Sequence, residues 1–184
     1  MAHHLFLVGY RGCGKSSVGR RLGDILGLPA TDSDNGVEQA AGKSIRSIFS
    51  EDGEPVFRDF ESQAIQTLAE GPESIISLGG GAILREQNRG IIKGHGLVVW
   101  LQASVDEIAQ RIAEDSLTKE RRPALTQLAA LDEIAHLLEI REPIYREVAD
   151  FTVQTDRRAI NDIASEIARW YSESKRPGTS EHAR

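Results

Sequence analysis

The chain has 184 residues, enough for one domain with a sizeable core and too few for two full-sized ones. A formal net charge of -6 offers no general attraction to nucleic acid or to an anionic membrane, although a site can still gather Arg and Lys locally. Cys13 is the only cysteine, which excludes an intrachain disulfide framework and fits a reducing, cytoplasmic setting.

The opening run MAHHLFLVGYRG carries no long hydrophobic segment and no small-residue cleavage site, so neither a signal peptide nor a membrane span is expected. His3 and His4 have no ligand cluster around them and read as surface or strand histidines. Short β-type runs then alternate with longer amphipathic segments, the pattern of an α/β fold with a parallel sheet covered by helices on both faces. In chain order, strands are predicted at 5–9, 29–32, 74–78, 96–101 and 151–154. Helices are predicted at 16–26, 55–70, 104–114, 132–148 and 160–171, with Pro143 expected to interrupt or kink the fourth. Ile160, Ile163, Ala164 and Ile167 fall at helical spacing and form one predicted core stripe. Residues 115–127, DSLTKERRPALTQ, are polar and cationic around a proline and read as a mobile loop. The expectation is a single domain over 1–174 and a poorly ordered tail over 175–184, rich in polar residues and poor in apolar ones.

The chemistry starts where the first strand ends. Gly9-Tyr10-Arg11-Gly12-Cys13-Gly14-Lys15-Ser16 is a full match to GxxxxGK[ST] between a predicted strand and a predicted helix. Glycines let successive backbone N–H groups converge on phosphate oxygens, and the helix that follows aims its positive end at the same point. Lys15 would bridge the β- and γ-phosphates of ATP or GTP, and the Ser16 hydroxyl would ligate magnesium. Arg11, Gly12, Cys13, Gly14, Lys15, Ser16 and Ser17 are therefore the expected nucleotide contacts, with Cys13 a small filler of the turn rather than a catalytic thiol. This motif says nothing about the acceptor.

Four patches further along are each weak alone. Asp32 and Asp34, with Glu38 after them, follow the second predicted strand, at the sheet edge where open α/β folds bind ligands. Arg58 and Glu61 in GEPVFRDFE are neighbours on a helix, beside an apolar stripe of Phe57, Phe60, Ala64 and Leu68; in isolation they make a surface salt bridge. Gly79, Gly80 and Gly81 end the run SIISL and expose backbone N–H groups to a close ligand. RRPAL and IREPIY add further arginines.

In this order behind a phosphate loop, the patches resemble the shikimate kinase family over roughly residues 5–155. The string GKSIRSIFSEDGEPVFRDFE, 42–61, is similar to that family's substrate-binding region. The resemblance implies a three-layer P-loop kinase fold, a five-stranded parallel sheet ordered 2-3-1-4-5, a substrate lobe near 33–61 and a lid near 115–127. It implies transfer of the ATP γ-phosphoryl group to the 3-hydroxyl of shikimate in chorismate and aromatic amino-acid biosynthesis, with Mg2+ as cofactor. By the same resemblance Asp32 stands near magnesium through water, Asp34 meets the acceptor hydroxyl, and Arg58 grips the substrate carboxylate. Glu61 would fix Arg58 or a ring hydroxyl, the amides of Gly79, Gly80 and Gly81 would meet substrate, and Arg141 would be the second carboxylate arginine.

Arg122 resembles the lid arginine over ATP, with Arg121 leaving the register open by one position. Lys15, Asp34 and Arg122 would form the catalytic set. Arg111 and Arg157 are the expected adenine-side contacts. The lid reads RPAL where the family commonly has RPLL, and 155–159 lacks a proline often found there. The expected partner is a small molecule, with no nucleic acid or membrane, and the expected state a monomer. A gluconate-kinase-like enzyme leaves GEPVFRDFE unexplained, and a nucleotide-binding regulatory module has no need of acceptor groups.

Overall fold

The computed structural model describes residues 4–114 and 127–175. Arg121 and Arg122, with all of the expected lid except Gln127, lie outside the described residues, as does the tail beyond Lys175.

Strand β1, His4–Val8, is buried along its whole length. Its period-2 alternation sends Leu5 and Leu7 into one apolar cluster and Phe6 and Val8 into another, as a strand covered on both faces requires. Strands β2 (Ala30–Asp32), β3 (Ile75–Ser77), β4 (Gly96–Gln102) and β5 (Phe151–Gln154) complete an all-parallel sheet ordered β2-β3-β1-β4-β5. That is the order the resemblance implies.

Helices α1 (Lys15–Leu26), α6 (Val105–Glu114) and α8 (Ile160–Ser174) cover one face through Val18, Leu22, Ile108, Ile163 and Ile167. Burying a side chain such as Leu22 completely contributes about 1.5–3 kcal/mol. Helices α4 (Glu54–Ala69) and α5 (Glu86–His95) cover the other through Ile65 and Ile92, joined by Tyr145 and Val148 of α7 (Gln127–Val148). A third, smaller cluster of Val37, Ile48, Phe57 and Ala64 sits between α4, α2 (Ser33–Ala41) and the short α3 (Ile45–Ser47) with its following π-helical turn, Ile48–Asp52.

Several expectations need correction. His4 is a strand histidine but not a surface one: it is fully buried, its ring nitrogens bonded to Ser74 Oγ at 3.1 Å and the Ala69 carbonyl at 3.0 Å. Ile160 is 47% exposed because it opens α8 before the helix meets the sheet, and Ala168 and Tyr171 continue the stripe instead. Pro143 does not interrupt α7; the helix runs through it although Pro143 cannot donate to the Glu139 carbonyl. Helices α2 and α5 were not visible as periodic patterns, since each is short and broken by glycine. In α2 the glycine has a packing reason: a Cβ on Gly36 would lie 3.2 Å from Ala64 Cβ of α4. Among the described residues no helix is long and apolar enough to cross a membrane.

Candidate active site

The loop from β1 to α1 carries the phosphate motif. Gly9 has φ 140°, and a Cβ there would sit 2.4 Å from the Leu101 carbonyl oxygen, so only glycine fits. Cys13 is buried in the turn, as its filler role requires. Lys15 Nζ donates to the Gly9 and Tyr10 carbonyls, both at 2.9 Å. Because α1 begins at Lys15, its positive end faces this loop.

Asp32 is the N-cap of α2: its Oδ1 accepts the Asp34 N–H at 3.0 Å. Its Oδ2 accepts the Ser16 hydroxyl at 2.7 Å. One carboxylate thus starts a helix and reaches the phosphate loop, leaving Asp34 inside the first turn of α2. A hydroxyl and a carboxylate side by side are hard oxygen donors, the kind Mg2+ takes together with phosphate oxygens and water, so this pair fits that ion. Glu38 has a structural task instead, accepting the Ile45 N–H at 3.0 Å.

A cavity of about 190 Å³ adjoins the loop. Asp34, Arg58, Glu61, Arg141 and the three glycines Gly79, Gly80 and Gly81 line it, with Tyr10 and Arg11 on the side of the phosphate motif. The structure therefore gathers into one cavity every acceptor-side residue expected from the sequence.

Arg58 is no surface ion pair. Its side chain is 15% exposed and that of Glu61 only 1%, and its NH1 donates to Glu61 Oε2 at 2.8 Å. Nε and NH2 donate to Glu54 Oε1 at 3.2 and 2.9 Å, and the guanidinium lies 5.1 Å from the Phe57 ring centre. Burial alone would lower the Arg58 pKa, but Glu61 and Glu54 together raise it. Burial pushes the Glu61 carboxyl above its ordinary range, Arg58 opposing and nearby Asp34 adding to the rise.

The glycines bring these groups together. Gly79 donates its N–H to Ser33 Oγ at 3.1 Å, and a Cβ on it would lie 3.0 Å from Glu61 Oε1 and 3.1 Å from Asp34 Oδ1. Gly81 has an ordinary backbone, φ -104°, yet a Cβ would fall 2.6 Å from Arg58 NH1. Arg141 NH1 donates to the Gly80 carbonyl at 3.2 Å, and its guanidinium lies 5.5 Å from the Tyr10 ring centre.

Arg11, expected among the nucleotide contacts, is also one of the residues lining the acceptor cavity. Its guanidinium is 6.0 Å from the Tyr10 ring centre, and its buried Nε has no hydrogen-bond partner among the described residues. Arg111 bonds to Thr155 O at 2.8 Å, Thr155 Oγ1 at 3.1 Å and Gly12 O at 3.4 Å, tying the phosphate loop to the segment after β5. Arg157 is exposed on that segment with φ 52°. Sequence reasoning gave no role to Tyr10 or Tyr145. For Tyr145 the signal was available, since it follows Arg141 by four residues and so shares its helix face.

The family model for shikimate kinase matches residues 11–172. The shikimate kinase of Rhodopirellula baltica is 44% identical over 164 residues, covering 89% of this chain and 88% of the relative. A solved shikimate kinase from Acinetobacter baumannii, in complex with shikimate, superposes with TM-score 0.86 at 35% identity, covering 95% of this chain and 96% of that one. The shikimate kinase from Bacteroides thetaiotaomicron superposes with TM-score 0.85 at 26% identity, covering 92% and 98%. With the phosphate loop, the acceptor cavity and the strand order all in agreement, the chain belongs to the shikimate kinase family.

Proposed function

We propose that this chain transfers the γ-phosphoryl group of ATP to the 3-hydroxyl of shikimate, giving shikimate 3-phosphate and ADP, and that the residues gathered at the cavity divide the work as follows. The observation that carries the reading is one cavity holding two arginines for a carboxylate and a separate acid for a hydroxyl, beside a phosphate loop. The Acinetobacter relative holds shikimate, which supports the same acceptor here.

Arg58, held rigid by Glu61, and Arg141 bind the shikimate carboxylate through their planar forks. Asp34 accepts the hydrogen bond of the acceptor hydroxyl and orients its oxygen for in-line attack. The new bond joins that oxygen to the γ-phosphorus as the bond to the β,γ-bridging oxygen breaks; the hydroxyl proton passes to Asp34, and ADP leaves. Lys15 exchanges the Gly9 and Tyr10 carbonyls for phosphate oxygens. Backbone amides of 11–17 cradle the phosphates, and Arg111 and Arg157 stand on the adenine side. Ser16 would hold Mg2+ directly and Asp32 through water, and an ion held there would offset negative charge on the nucleotide phosphates. Arg122, outside the described residues, takes the lid role on the phosphoryl group. The lobe near 33–61 and the lid near 115–127 are parts of one enzyme domain, a cytoplasmic monomer in this proposal, and the single cysteine favours that compartment.

The test is to incubate the protein with MgATP and a panel of shikimate, gluconate and nucleoside monophosphates, following ADP and the phosphorylated product. Strong stimulation by shikimate alone is the expected result. Comparable turnover of gluconate would overturn the acceptor assignment.

A further inference from the structure

The Gly80 carbonyl is held twice by one face of α7. Arg141 NH1 donates to it at 3.2 Å, and Tyr145, one helical turn further on, donates its hydroxyl at 2.6 Å. Tyr145 is fully buried and its ring stacks on Trp100, with centroids 5.7 Å apart and planes at 23°. Burial pushes its phenol well above the ordinary value, so the hydroxyl stays a donor throughout the working pH range.

The partner it has chosen sits in the middle of the triple glycine. Glycine has no side chain to fix the orientation of the peptide units around it, and the peptide unit that joins Gly80 to Gly81 has a glycine at each end. No peptide bond among the described residues is cis, and in a planar trans unit the N–H points opposite to the C=O. Fixing the Gly80 oxygen against Tyr145 therefore fixes the Gly81 N–H to point away from α7. No described group accepts from the Gly81 N–H, and Gly81 lines the cavity beside Arg58. The same carbonyl also takes one donor of Arg141, which sets how that guanidinium presents its remaining donors.

We propose that Tyr145 is a positioning residue for the acceptor: by clamping the Gly80 carbonyl it aims the Gly81 N–H and the Arg141 guanidinium at the bound hydroxy acid. The inference rests on the shikimate kinase reading above. It gives a role to a tyrosine that is not among the residues lining the cavity.

The experiment is steady-state kinetics of Tyr145→Phe, which keeps the ring on Trp100 and removes only the hydroxyl. The KM for shikimate should rise by roughly 3- to 10-fold, the loss of about one net hydrogen bond, while the KM for ATP stays unchanged. Trp100→Phe is the control for packing; it should lower the thermal midpoint and leave the KM for shikimate unmoved. A lowered midpoint in Tyr145→Phe with an unaltered KM for shikimate would make the tyrosine merely structural. Equal rises in both KM values, or a shikimate effect in Trp100→Phe as large as that in Tyr145→Phe, would overturn the proposal as well. Wild-type protein that fails to phosphorylate shikimate sinks the functional reading and this inference together, whereas wild-type turnover with an unaffected variant sinks this inference alone.

Discussion

Gly81→Ala should weaken shikimate binding without straining the backbone that carries it. At φ -104° and ψ -1° the position is open to any residue, so the added methyl acts only through what it touches. It meets the Arg58 guanidinium, at 2.6 Å from NH1, 2.8 Å from NH2 and 3.0 Å from CZ. Ordinary contact starts at 3.4 Å, so the guanidinium must give way by about 0.8 Å. Arg58 cannot do so freely, because Glu61 holds it at 2.8 Å from a side chain that is itself 1% exposed. A displacement of that size carries the bond past the useful range and costs roughly 1.5–3 kcal/mol, the net worth of a hydrogen bond to a charged group, or about 10- to 150-fold in affinity. With Arg58 only 15% exposed, solvent screening removes little of this. Rotation of the long arginine chain recovers part of it, so the lower end is the expectation: the KM for shikimate rises about 10-fold. The assay is ADP release against shikimate at saturating MgATP, with ATP titrated separately and the thermal midpoint measured. An unchanged KM for shikimate in a variant of wild-type stability would refute the argument that Gly81 is a glycine for the sake of Arg58.

Asp34→Asn should nearly abolish transfer while MgATP still binds, whereas Asp32→Asn should raise the magnesium concentration needed for activity; rescue of Asp34→Asn by added magnesium, and not of Asp32→Asn, would reverse the two roles. Glu61 gives a pH test. Its folded-state pKa is raised above the ordinary 4.5, so the folded protein binds the proton more tightly than the unfolded chain, and stability falls as pH rises from about 4.5 through the raised value. The unfolding free energy of wild type minus that of Glu61→Gln, from urea melts across that window, should therefore decline with pH; a difference that grows would mean that the Arg58 ion pair outweighs burial.

The legible part of this protein was whatever local pattern or backbone chemistry dictates. The unbroken apolar run Leu5 to Val8 announced a strand buried on both faces, and GYRGCGKS announced a phosphate loop because its glycines at 9, 12 and 14 supply the positive φ that such a turn needs. The strand order came from resemblance alone, since hydrophobic runs do not say which neighbour they pair with; the structure supplies the same order through its registers. Helix α2 hid because Gly36 interrupts a short pattern, and its reason, the approach of Ala64, lies 28 positions away in the chain.

The tertiary structure decided the electrostatics. Arg58 and Glu61 read locally as an exposed helix pair, and only tertiary packing buries both and raises the carboxyl. It set Arg11 among the residues lining the acceptor cavity and turned the Tyr145 hydroxyl onto the Gly80 carbonyl, a contact that spans 65 residues. A sequence fixes which groups are available and which backbone shapes are cheap, through interactions a few residues long. Which buried carbonyl meets which donor depends on how whole elements pack, and that is set by the summed burial of the core rather than by any one position.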